Sequence, residues 1–571
     1  VLIFTRIQHP RLVYAAQQVF RNVQGELRFT DSVEVFQTET GPKWWYDEEE
    51  KHEAWQCEPV AILWKNDVPN LRPELKYWNN IPFPDLDGSG RFDPLACTFY
   101  MLSRMEEYTS AQRDEHGRFS GHSSWSGPDI VQMAIVDRWR RAMEQELLQH
   151  FPAATVMLPT YRPVATIDVD SAFAFRYKGV RRTCGALVLD VLKGKWKQAV
   201  ERAYCVLANQ DDPFDTYDFI SDYCHEHRVE LKCFFLLANR SRFDINIDFR
   251  NEQLQDRILE MRDSGALVGI HPGYRSHADV SILKTEIQRL QTILDEPVHH
   301  SRQHFLKFDL PVTYQRLLQN GLCHDYSMGY ADVPGFRAGT SFPFPWFDLT
   351  RNAATSLLIH PVVVMDSTLN SYLRLSPQQA KETIDVLRNE VRAVGGEFTS
   401  LWHNETVAER GIWKGWRQVL IGANDSVVNR SISNERPESA LQIGLKVKRR
   451  SKRTSLIPDL RFQAFDILKR CAVYRASAYG NRIAHLEVSA LVVVVVKLIG
   501  IGFNAAWIGE FKRKPIEEGI VVHRAERSNE IQVFLTAAQF FIRNRIAVVI
   551  DSFSKPAVCV ARSVGVCEAT K

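Results

Sequence analysis

Between residues 160 and about 420 the chain alternates two hydrophobic rhythms. Short apolar runs at 164–167, 231–237, 266–270 and 397–402 read as buried strands. Between them, apolar residues recur at three- and four-residue spacing. That spacing predicts helices over 188–208, 217–227, 253–263, 281–294, 312–320 and 377–394. A further apolar segment at 304–308 falls between two of these helices. Alternating strands and helices call for a parallel sheet with helices outside it, open or closed into a barrel. In such folds ligands collect at the C-terminal ends of the strands, so the polar residues there matter most.

The flanking regions have other patterns. Residues 1–158 mix short apolar strands, one of them at 60–64, with a clear helix at 135–150, and read as a separate α+β domain. In this region PFPDLDGSGRFDPLACTFYMLSRMEEYTS joins a Gly/Asp-rich turn to an amphipathic segment. Glu106, Glu107, Asp114 and His116 read there as a solvated helix end and turn. From 423 onward the character changes. Residues 425–571 carry roughly +11 net charge and the preceding residues roughly −8, an acidic body with a basic tail. KVKRRSKRTS at 446–455 reads as a solvated basic linker. With no interleaved aromatics or recognisable module it does not call for nucleic acid. LVVVVVKLIGIGF at 491–503 is short for a membrane span and has Lys497 inside it, so it reads as a buried strand. No function is assigned to this region.

Composition adds little beyond class. The 571 residues are 45% hydrophobic and 24% charged, as in soluble multidomain proteins. The ten cysteines are scattered without a CxxC pair, which argues against a zinc ribbon and for reduced thiols in a cytoplasmic protein. VLIFTRIQHP lacks the sustained apolar core of a signal peptide.

The chemistry gathers at the strand ends. VATIDVDSAFA puts Asp168 and Asp170 two residues apart, on one face if the strand continues. Like charges held that close need a cation or a shared proton, unless the pair merely opens an Asp-rich turn. The other predicted strand ends supply His271 and His277 in HPGYRSH, Arg302 and His304 in SRQH, Asp325, Arg337, His360, Asp366, and His403 in SLWHNET. Imidazole with carboxylate suits zinc and other first-row divalent metals. One Asp and two His would leave a coordination position open, the second Asp could act as a base, an Arg could hold that base ionised, and a further His could protonate a leaving group. This is the equipment of metal-assisted amide or ester hydrolysis.

The region 160–420 resembles the polysaccharide deacetylase family, carbohydrate esterase family four, and more narrowly a bacterial branch with an extra N-terminal domain. The family's Thr-Phe-Asp-Asp motif corresponds to TIDVD, its His-(Ser/Thr)-x-x-His motif to HPGYRSH, its arginine motif to SRQHFLKFD and its final Leu-x-His to SLWHN. YDFISDYCHEHRVELKCFFLL looks like the family's second αβ unit. FDPLACTFYMLSRMEEY and DYSMGYADVPGFRAGTSFPF are similar to that branch. The resemblance implies a distorted (β/α) barrel at 159–422 that removes N-acetyl groups from an amino-sugar glycan or glycoconjugate with a divalent metal, usually zinc. It makes Asp168 the general base, Asp170 and His271 metal ligands, Arg302 the residue that orients the base, and His403 the general acid. Arg275 stands where the family has its second metal histidine, so His277 and His304 are both candidates for that role. The inserted Val169 leaves the roles of the two aspartates interchangeable. A non-catalytic carbohydrate-binding protein on the same barrel is the alternative. A glycoside hydrolase would need two carboxyls about 5–9.5 Å apart across a bond; the one close acidic pair lies on a single strand and leaves the histidines unexplained.

Overall fold

A computed structural model describes residues 1–49, 55–125, 127–208 and 210–424. The basic linker and the apolar run expected after 424 lie outside the described residues. The chain opens with a small parallel sheet, in which β1 (Leu2–Phe4) lies between β2 (Arg28–Thr30) and β3 (Lys43–Tyr46), with β4 (Gln56–Cys57) beyond β3. β5 (Glu74–Trp78) and β6 (Ile81–Asp85) form an antiparallel pair. The strand expected at 60–64 is instead a 3-10 turn, Ala61–Leu63. Asp93 explains the difference. Its carboxylate accepts from the Val60 amide at 2.8 Å and the Tyr46 hydroxyl at 2.6 Å, and caps the helix Pro94–Ser103 through the amides of Leu95 and Ala96. The segment is thus held by a side chain rather than by a ladder.

Nine strands make the main sheet: β7 (Arg162–Val169), β8 (Glu230–Leu236), β9 (Leu267–His271), β10 (His300–Ser301), β11 (His324–Met328), β12 (Phe344–Asp348), β13 (Ala353–Pro361), β14 (Val364–Met365) and β15 (Glu397–His403). Their order is β12-β13-β11-β10-β9-β8-β7-β15-β14, parallel except for the β12–β13 pair. The two outer strands, β12 and β14, do not pair with each other among the described residues, so the sheet is a curled half-barrel rather than a closed ring. Three strand spacings would separate β7 from β10 by about 14 Å in a flat sheet. Curling lets the Arg302 guanidinium, just past β10, donate to Thr166 Oγ1 on β7 at 2.9 Å.

Helices cover the outer face. Tyr217–Glu226, Glu252–Asp263, Val280–Leu294, Val312–Gln319 and Pro377–Val394 fall within a residue or two of the spans read from periodicity. The single helix expected at 188–208 is two, Val180–Leu192 and Trp196–Leu207. Gly194, at φ +68°, takes the left-handed turn between them. Gly395 ends Pro377–Val394 at φ +74° where a Cβ would sit 2.2 Å from the Pro159 carbonyl, so the turn into β15 needs glycine.

Alternation along the strands then divides the chemistry. On β7, Ala165, Ile167 and Val169 join the main apolar core, while Thr166 and Asp168 face the concave side. The N-terminal helices cover the β12–β13 edge: Tyr14 donates to the Pro345 carbonyl at 2.8 Å and the Phe99 ring lies 5.0 Å from Phe347. Glu106 and Glu107, expected in solvent, are buried. Arg104 bonds both, and Arg337 grips Glu107 with two hydrogen bonds of 2.9 and 2.6 Å. Buried carboxylates next to two guanidiniums are paired charges, which removes the reason to keep them wet.

Candidate metal centre

Asp170 follows the last residue of β7, His271 ends β9, and His304 lies in the 3-10 turn just after β10. One ligand atom from each lies within 4.8 Å of the other two. Asp170 Oδ1 is 3.2 Å from His271 Nε2 and 3.4 Å from His304 Nε2. Zinc bonded at about 2.0–2.2 Å in a tetrahedron sets its ligands about 3.3–3.6 Å apart, close to the two distances from Asp170. Asp170 Oδ1 and His271 Nε2 are buried yet complete no hydrogen bond. Each imidazole has its other nitrogen engaged. His271 Nδ1 lies 2.6 Å from the Arg302 carbonyl, which can only accept, so that nitrogen carries the proton and Nε2 presents a lone pair. His304 Nδ1 lies 3.0 Å from Asp244 Oδ1, the carboxylate partner that metal-binding histidines commonly have. The donor set, the spacing and the orphaned atoms fit a divalent cation.

Around this point the charges are strongly coupled. Burial disfavours the His304 imidazolium, but Asp170 and Asp244 outweigh it and push its pKa up to about 9. Desolvation likewise opposes the Asp170 carboxylate, while His304 and His271 hold its pKa well below the usual range. A cation at this point would compete with the proton that the flanking carboxylates favour on His304.

The other expected residues surround the same point. Asp168 is 3% exposed, with Oδ2 3.8 Å from His271 Nε2 and Oδ1 3.4 Å from Arg302 Nη1. Arg302 is fully buried, with its guanidinium over the Phe234 ring. His403, at the end of β15, directs Nε2 to within 3.9 Å of Asp170 Oδ2. Its Nδ1 is 2.8 Å from the buried Asp366, which also accepts from the His403 amide. Burial lowers the His403 pKa, but Asp366, then Asp170 and Asp168, reverse this and hold it well above the ordinary histidine range.

His277 does not join this group: its Nδ1 packs against the Tyr274 carbonyl at 2.9 Å. Arg337 is taken up by Glu107. Asp325 bonds Ser301 and Ser327, and burial pushes its pKa up to about 6. His360 lies apart from this group, beside His324. Sequence reasoning missed Asp244 and Thr166. Asp244 is in the loop after β8, where it bonds Ser241 and reads as an ordinary turn residue. Thr166 sits inside an apolar run, and the register with Asp168 was the available sign that it shares the polar face.

Comparison with known proteins adds a family and a set of distant structures. Residues 1–152 match the model of a family of unknown function (DUF7033). No curated protein matches the chain. Similar solved structures include a "putative polysaccharide deacetylase" from Mycobacterium smegmatis, at 15% identity over 46% of this chain and 83% of that one, with a TM-score of 0.31. The polysaccharide deacetylase Bc1974 from Bacillus cereus is similar at 10% identity over 45% and 87% of the two chains, TM-score 0.20. IcaB from Ammonifex degensii is similar at 16% identity over 30% and 87%, TM-score 0.18. Those values are too low to carry a function, which has to come from the site itself.

Proposed function

We propose that this chain is a metal-dependent hydrolase that removes N-acetyl groups from an amino-sugar glycan or glycoconjugate, with zinc as the metal. The observation that carries the metal is the convergence of Asp170 Oδ1, His271 Nε2 and His304 Nε2 at ligand spacing, with the far nitrogen of each histidine already engaged. A divalent cation held by these three would supply Lewis acidity to the reacting carbonyl and water.

The chain's own groups do the proton transfers. Asp168 accepts the proton that the attacking water loses as the new C–O bond forms, and Arg302, 3.4 Å away, orients its carboxylate. His403 donates its proton to nitrogen as the C–N bond breaks, leaving acetate and a free amine. Asp366 fixes the His403 ring and keeps it charged until then. A carboxylate placed to take a proton and an imidazole held charged to give one are what amide hydrolysis requires. The sugar comes from the sequence motifs: TIDVD, HPGYRSH, SRQHFLKFD and SLWHN are the segments that resemble polysaccharide deacetylases, and they supply the residues of this site.

The test uses the full chain stripped of metal and titrated with zinc, followed by acetate release from N-acetylglucosamine oligosaccharides. One equivalent should bind and restore acetate release. No zinc uptake would overturn the metal centre. One bound zinc with no acetate from any N-acetylated glycan would overturn the deacetylase.

A further inference from the structure

Asp114 and His116 carry ligand-type side chains, lie in the segment matched to a family of unknown function, and are not donors of the metal centre. What they touch suggests another role. His304 is followed by Phe305 at φ +63° and Leu306 at φ +52°, two successive non-glycine residues in the left-handed region. L side chains are unfavourable there and persist when the surroundings hold them. Local bonds do part of this: the Leu306 amide donates to the Gln303 carbonyl and the His304 amide to the Pro272 carbonyl.

The rest comes from the N-terminal region. Arg118 is 5% exposed. Its Nη1 donates to the Phe305 carbonyl at 2.8 Å and its Nη2 to the Tyr372 hydroxyl at 2.8 Å. Asp114 fixes the guanidinium from behind, accepting from Nε at 2.7 Å and from the Arg118 amide at 2.8 Å. The turn between them adds a second tie, for Lys307 Nζ donates to the His116 carbonyl at 2.7 Å. The His116 ring lies 4.9 Å from Phe305 and its Nδ1 is 3.1 Å from the Tyr274 hydroxyl. A planar fork with several fixed donors can register three segments at once, which a lysine cannot.

We infer that Arg118, set by Asp114, is a positioning residue for the metal centre: it holds the left-handed turn that aims His304. Asp244 fixes the ring of this ligand and Arg118 the backbone of the next residue. The N-terminal region thereby completes a site whose donors all lie at or just past the ends of main-sheet strands. This inference rests on the metal-centre reading above.

The experiment measures zinc affinity of the full chain by competition with a chromophoric chelator. Arg118→Ala should weaken binding about 10- to 100-fold with the stoichiometry still one, the usual cost of losing an outer partner of a metal ligand. Arg118→Lys should recover only part of the loss. Asp114→Asn, which leaves the arginine in place, should give a smaller loss in the same direction and serves if the alanine variant does not fold. A double-mutant cycle separates aiming from general stability: in a His304→Gln background, Arg118→Ala should cost little further affinity. Wild-type affinity in Arg118→Ala and Asp114→Asn, or full additivity in the cycle, overturns the brace while leaving the metal centre standing. A wild-type chain that takes up no zinc removes both.

Discussion

The concave face of the main sheet holds two groups of histidines, and they are built in opposite ways. At the C-terminal ends of the strands, His271 and His304 turn Nε2 toward Asp170. The inner group lies nearer the strand starts, where His300 and His324 open β10 and β11 and, with His360 on β13, turn toward one another. His324 Nδ1 is 3.1 Å from His360 Nε2, and the His300 and His324 rings stack 4.3 Å apart. Tyr326 stacks on His360 at 4.2 Å, and its hydroxyl lies 3.3 Å from His300 Nδ1. The carboxylates near the inner group are engaged elsewhere, Glu230 with Lys232 and Glu397 with Arg162. Burial, then neighbouring histidines and Lys232, pushes His300 down to about 3. Burial, then Lys232 and the other two rings, pushes His360 down to about 2. Flanking carboxylates push His304 the other way, up to about 9. One residue type thus makes a cation site where ring nitrogens converge on a carboxylate, and a neutral packed stack where the rings turn to each other instead.

The largest expected effect breaks the first group and spares the second. Asp170→Ala and His271→Ala should each abolish stoichiometric zinc, whereas His300→Ala and His360→Ala should retain one equivalent, read by elemental analysis of the gel-filtered protein. Loss of zinc in a folded His360→Ala chain would show that the inner stack belongs to the centre.

A smaller effect separates holding the metal from using it. Asp168→Asn keeps the shape and the Arg302 contact but cannot accept the water's proton. Zinc should stay bound while turnover falls about 10²- to 10⁴-fold, the usual share of a general base. Wild-type turnover would remove Asp168 as the base. Next in size comes Asp244→Asn, which leaves the outer ligands in place and unpairs His304 Nδ1 from its carboxylate. Zinc affinity should fall about 10- to 100-fold by chelator competition, with the stoichiometry unchanged. The same substitution has no route to the inner stack.

The sequence showed more of the outer group than of the inner one, for physical reasons. Short apolar runs located β7, β8, β9 and β15, and polar residues at their ends are few enough to collect by eye. Asp168, Asp170, His271 and His403 were legible because each ends or follows such a run. His304 was legible only as one of two candidates, because its placement depends on β10 being two residues long and turning sharply through Phe305 and Leu306. His277 has the same composition signal and no such turn. His300 and His324 begin their strands, and nothing local says that curling will stack their rings. The burial of Glu107 depends on Arg337, 230 residues away, which periodicity cannot see.

The smallest expected effect tests the electrostatic half of the contrast through stability. His300 and His360 are held neutral in the folded chain, with pKa values below that of an unfolded histidine, about 6.5. The unfolded chain therefore binds protons that the fold refuses, and their contribution is complete above about pH 6.5 and lost as pH falls toward the folded values. Each such histidine adds a slope of about 1.4 kcal/mol per pH unit on the acid side. Lys232 faces Tyr326 and Arg162 adds to the positive field at His360, so protonating the stack gains no compensating partner. His360→Gln retains a group able to bond His324 and removes one titration. In metal-free protein, urea midpoints at pH 6, 5 and 4 should fall less steeply for this variant, by about one histidine's slope. An unchanged slope would mean that His360 carries its proton in the fold, and the inner stack would then be electrostatically the same kind of site as the outer group.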